Sequence, residues 1–140
     1  MANKNGYLTT KATGMEQWAL FLFFTLPGAA TTVDVTTVEG AAVGADLTSI
    51  THTGGTNFVT VTLKDPWVRV LSASAEVRDT AGGGGGLYAT ISDITNENTA
   101  TPLTFQVNTF TAGGGVSNDS ALVVGVCLRL RNTIKGTGIA

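Results

Sequence analysis

A period-two alternation of apolar and polar residues recurs along the second half of this chain, and few folds accommodate it. Phe58-Val59-Thr60-Val61-Thr62-Leu63 alternates, as do Trp67-Val68-Arg69-Val70-Leu71 and Thr104-Phe105-Gln106-Val107-Asn108, and the run from Ala121 to Arg131 closes the series. Successive side chains of an extended strand point to opposite faces, so each run covers a core on one side only. Between the runs stand turn formers: Pro66, the five glycines 82–86, Asn96-Glu97-Asn98 and the three glycines 113–115. Such residues end strands and supply connections. No window combines apolar i, i+3, i+4 spacing with helix caps. The pattern predicts one all-β domain, a jelly-roll-like β-sandwich of about eight antiparallel strands.

The amino-terminal third is less regular. Residues 1–14 are polar and aperiodic, which predicts an N-terminal arm, with the sandwich over 15–140. The apolar run Trp18-Ala19-Leu20-Phe21-Leu22-Phe23-Phe24 follows Lys4 and Lys11 and so imitates a secretory leader. Glu16 stands at its mouth, and the run is roughly half the length a membrane-spanning helix needs. It therefore reads as a strand, either buried on both faces or covered by a partner. Residues 31–37 alternate and predict a half-exposed strand. Residues 39–56 read as a surface excursion in which Ala45–Ile50 forms a short strand or turn.

Charge narrows the function classes. Only 13% of the 140 residues are charged, against about 25% in an average soluble protein. Either the surface is Thr, Ser, Asn and Gly, or other protein covers much of it; the second option is preferred, which implies an oligomer. A net charge of −2 leaves no electrostatic footprint for nucleic acid. The one cysteine, Cys127, excludes an internal disulfide and reads as core packing.

Candidate chemistry is sparse. His52, the one histidine, sits in Thr51-His52-Thr53-Gly54-Gly55 without a second His or an acid beside it, and reads as a surface side chain. Nucleophilic catalysis needs a base held against the nucleophile and oriented by a third group, so no catalytic residue is assigned. The glycines 82–86 lack the Lys-Ser/Thr and the following helix of a phosphate loop. Asp93, Asn96, Glu97 and Asn98 are oxygen-rich, as are Asn118 and Asp119, but they read as turn residues rather than a metal site. Neither a cofactor nor a metal is expected.

The remaining signal is an interface. Arg69, Arg78, Arg129 and Arg131 occupy alternating strand positions; Arg129 and Arg131 share one face of their strand while Leu128 and Leu130 share the other. Arginine's planar fork suits carboxylates of a partner protein. Trp18 and Phe21 are either core or fill a groove on a neighbour.

The strand Phe58-Val59-Thr60-Val61-Thr62-Leu63-Lys64-Asp65, the stretch from Trp67 to Arg78, and the close Val126-Cys127-Leu128-Arg129-Leu130-Arg131-Asn132-Thr133 together resemble small structural proteins of tailed bacteriophages. In those a T-V-T-L-x-D strand opens the β-domain and an L-R-L-R-N strand closes it. The resemblance spans residues 54–133 and implies a virion protein of the capsid decoration, or cement, type. Such a protein has no enzymatic activity and sits on the capsid surface, bridging subunits of the major capsid protein. It is expected as a homo-oligomer, with a trimer favoured, and without nucleic-acid or membrane partners. The expected contacts are the arm (Asn3, Lys4, Tyr7), the aromatics Trp18 and Phe21, and Arg69, Arg78, Arg129 and Arg131. The competing expectation is the receptor- or glycan-binding head domain of a tail or head fibre.

Overall fold

The computed structural model describes residues 7–12, 15–28, 30, 32–52, 56, 58–67, 69–80, 87–111, 113 and 122–131. Strands follow one another: β1 (Tyr7–Ala12), β2 (Met15–Thr25), β3 (Glu39–Gly40), β4 (Leu47–His52), β5 (Phe58–Leu63), β6 (Arg69–Asp79), β7 (Tyr88–Thr95), β8 (Thr104–Phe110) and β9 (Leu122–Arg131). A single 3-10 turn, Val35–Thr37, is the one helical element among the described residues. The expected all-β sandwich is what forms: among the described residues there are eight strands of six residues or more, and the two-residue β3.

Two antiparallel sheets build it. One runs β1-β2-β9-β6, with β3 also paired to β2; the other runs β4-β5-β8-β7. The pairings nest in sequence, β2 with β9 outside and β5 with β8 inside, while β6 and β7 make the tip. A long hairpin rolled so that its successive pairs alternate between sheets has the winding of a jelly roll.

The alternation explains the core. Leu20, Leu22 and Phe24 of β2 and Leu122, Val124, Val126, Leu128 and Leu130 of β9 point inward from one sheet. Val59, Val61 and Leu63 of β5 and Phe105 and Val107 of β8 meet them from the other. Each fully buried Leu, Val or Phe contributes roughly 1.5–3 kcal/mol. Trp18 also points inward, partly buried, with its ring edge-on to Trp67 at a centroid distance of 6.2 Å. It belongs with the core side of β2.

Four expectations are corrected. Tyr7–Ala12 is not an arm: it pairs residue for residue with Met15–Leu20 as an edge strand, because backbone hydrogen bonding needs no apolar pattern. Residues 32–37 make an isolated bridge at Thr32 and the 3-10 turn instead of a strand. Asp34 dictates this, since its carboxylate takes the amide and the hydroxyl of Thr36 two residues on and so bends the chain. His52 is not on the surface: it ends β4 at 5% exposure. Finally, Cys127 does not pack in the core, because its parity on β9 places it on the outer face, half-buried. The glycines 82–86, Asn118 and Asp119 lie outside the described residues.

The outer face of the four-stranded sheet carries no charge along its central strands. Thr60 and Thr62 of β5 lie beside Gln106 and Thr104 of β8. The Nδ2 of Asn108 donates to Ser92 Oγ at 2.7 Å, and the hydroxyls of Thr95 and Thr104 are hydrogen-bonded to each other at 2.5 Å. Low charge is thus met here by a hydroxyl and amide surface, the option the composition left second.

Candidate protein-contact face

The outer face of the five-stranded sheet is different in kind. Because β2 buries Leu20, Leu22 and Phe24, the residues between them face out, and Phe21 and Phe23 are 40% and 44% exposed. Across the sheet, Phe21 stands opposite Cys127 and then Ser74, while Phe23 stands opposite Gly125 and then Glu76. On its other side Phe23 pairs with Glu39 of β3. A β-carbon on Gly125 would lie 3.0 and 3.1 Å from Cε1 and Cδ1 of Phe23, so the ring lies across the space that this glycine leaves. Two hollows flank Phe23. One, of 380 Å³, is lined by Phe23, Glu39, Glu76 and Arg78 among others; the second, of 210 Å³, lies between Phe21, Phe23, Glu76 and Cys127.

Arginines occupy the end of this face beyond Phe21. Arg129 stands between Ala19 and Ser72, and Arg131 between Gln17 and Arg69. Arg131 and Arg69 are thus directly opposed like charges, an arrangement that destabilises a sheet. The Nε of Arg131 is buried without an acceptor among the described residues. Arg78 sits at the far end, opposite Val123.

Of the nine residues expected at an interface, Phe21, Arg69, Arg78, Arg129 and Arg131 thus fall on one face. Trp18 is on the reverse of the same strand, turned to the core. Tyr7 begins β1, and Asn3 and Lys4 lie outside the described residues. Phe23, Glu39, Glu76 and Gly125 were missed. The signal for Phe23 was available, because it lies two residues from Phe21 and therefore on the same side. Glu39 and Gly125 join the face only through pairing.

The other candidate groups are engaged in holding the fold. His52 Nδ1 lies 2.8 Å from the Ala30 carbonyl oxygen and Nε2 3.0 Å from that of Thr56. The ring ties two loop segments, and it belongs to the opposite sheet from Cys127, so no Cys–His pair forms. Asn96 and Asn98 take positive φ, 67° and 57°, and Asp93 takes 47°. Asn96 Nδ2 donates to the Pro102 carbonyl, and the Glu97 carboxylate accepts the Val70 amide. These residues shape a turn and fasten it to β6. Among the described residues there is no group of three or more His, Cys, Asp or Glu that could hold a metal ion, and no helix is long and apolar enough to cross a membrane.

Comparison with protein-family models, with curated proteins and with solved structures found no match.

Proposed function

We propose that this chain is a non-enzymatic structural protein of a virion, which coats a bacteriophage capsid and holds neighbouring subunits of the major capsid protein together. The observation that carries the reading is the outer face of the five-stranded sheet, where two exposed phenylalanines lie among four arginines and two glutamates. Exposed aromatics beside arginine are the composition of protein–protein contacts. The resemblance of residues 54–133 to small tailed-phage proteins supplies the kind of assembly. A coat protein of this sort acts as a homo-oligomer on the capsid surface and needs neither nucleic acid nor membrane.

The test is co-sedimentation of the full chain with purified tailed-phage capsids, with the copy number read by quantitative mass spectrometry. Near-stoichiometric attachment, and capsids that survive heating better when coated, are the expected results. A chain that stays in the supernatant with every capsid offered overturns the reading.

A further inference from the structure

We infer that the outer face of the five-stranded sheet is a contact between two copies of this chain, set face to face about a two-fold axis that runs across the strands at the level of Phe21 and Cys127. The inference rests on reading this face as a protein contact, and not on the capsid.

Charge is unevenly distributed along the strands. Taking the row Phe21–Cys127–Ser74 as a centre, the next row on one side carries Phe23, Gly125, Glu76 and Glu39. The next row on the other side carries Ala19, Arg129 and Ser72, and beyond it Arg131 and Arg69. One half of the face carries Glu39 and Glu76, with Arg78 beyond them at its rim, and the other carries Arg69, Arg129 and Arg131, about a centre that is uncharged. Two sheets packing face to face keep their strands roughly aligned, which leaves two choices of axis. An axis along the strands lays arginines over arginines. An axis across them lays each copy's basic half over the other's acidic half, and only this choice makes the surface self-complementary, as an isologous contact requires.

Shape agrees with charge. Arg129 of one copy arrives over Gly125 of the other, the one position in that row without a side chain. The 380 Å³ and 210 Å³ hollows beside it are each lined by Phe23 and Glu76. An aromatic face with a carboxylate at its edge is what a guanidinium takes up. Phe23 in turn arrives over Ala19, a small residue, and Phe21 meets Phe21. One like-charged meeting remains, Arg69 over Arg78, at the rim where solvent screens it.

The experiment is sedimentation equilibrium of the full chain at micromolar concentration with four variants, each first shown to melt cooperatively. The wild type sediments as a dimer. Phe21→Thr/Phe23→Thr, which keeps β-forming residues at exposed positions, gives a monomer. Glu76→Arg weakens the dimer on the order of tenfold or more, since like charges are then juxtaposed at the contact. Arg129→Glu does the same, and the double variant Glu76→Arg/Arg129→Glu recovers the affinity. Because Cys127 lies on the axis, a short bismaleimide crosslinks the wild-type dimer through it, and the Phe variant loses the crosslink. A monomeric wild type, a trimer mass, or a dimer indifferent to both the Phe and the Glu76 changes overturns the inference. If the wild type is monomeric but the Phe variant falls off capsids, the face serves the capsid and only the proposed function stands. A dimer that responds as described yet binds no capsid leaves this inference standing and removes the other.

Discussion

The carboxylate of Asp34 accepts the Thr36 amide at 2.9 Å and the Thr36 hydroxyl at 2.8 Å, while its own carbonyl receives the Thr37 amide and hydroxyl at 3.0 and 2.8 Å. The amide bond above all, and then the hydroxyl, hold its pKa below the ordinary 3.8. Hydrogen bonds to the charged form favour that form. Because the folded value is depressed, the turn is fully held above the ordinary carboxylate range and loosens only as pH falls through the lowered value. A carbon-detected NMR titration should therefore place the Asp34 midpoint below 3.8, with the Thr36 amide shift moving in step; a midpoint at or above 3.8 contradicts the geometry. His52 shows the limit of reading single residues. Flanked by threonines and glycines, it has the local composition of a loop, and its neighbours in sequence do not announce the carbonyls of Ala30 and Thr56 that hold its ring.

At the scale of elements, two glycines set how β2 is clasped, and they respond differently to substitution. Gly40 has φ +84°, and a β-carbon there would lie 2.4 Å from the Phe21 carbonyl oxygen, a backbone atom that cannot step aside. Gly40→Ala should detach β3 and cost about 1–3 kcal/mol from strain alone. Gly125→Ala meets only the exposed ring of Phe23, which can swing away, so its cost should stay within about 1 kcal/mol. Chemical denaturation of both variants checks the ordering, and a larger loss for Gly125→Ala sinks it. The same scale shows why some strands were legible and others not. β5, β8 and β9 bury every second residue without interruption, so their alternation survives in the sequence. β4 has a register shift between Leu47 and Ser49, and β7 one between Ser92 and Thr95. A bulge inserts one residue and exchanges the two faces beyond it, which left β4 legible only as the short strand or turn expected at Ala45–Ile50. Parity on β9 sorted Arg129 and Arg131 from Leu128 and Leu130 correctly, but nothing local to Glu39 or Gly125 could place them beside Phe23.

For the whole molecule, β9 is the strand on which the five-stranded sheet depends, since it pairs with β2 on one side and β6 on the other. It also supplies Leu122, Val124, Val126, Leu128 and Leu130 to the core. A chain ending before β9 should show no cooperative melting and should bind a hydrophobic dye, whereas removing the edge strand β1 should leave a cooperative transition. A cooperative melt in the chain lacking β9 refutes this account of the architecture.

That dependence governs how the protein can be made. β2 pairs with a strand about a hundred residues further along, and a ribosome adding roughly 5–20 residues per second needs roughly 5–20 s to reach it. Throughout that interval Leu20, Phe21, Leu22, Phe23 and Phe24 have been synthesised, and β2 has only β1 and the two-residue β3 to pair with while its β9 side stays open. The nascent chain is therefore most vulnerable to aggregation before β9 emerges, and its yield in a cell should track chaperone capacity more closely than the stability of the finished sandwich.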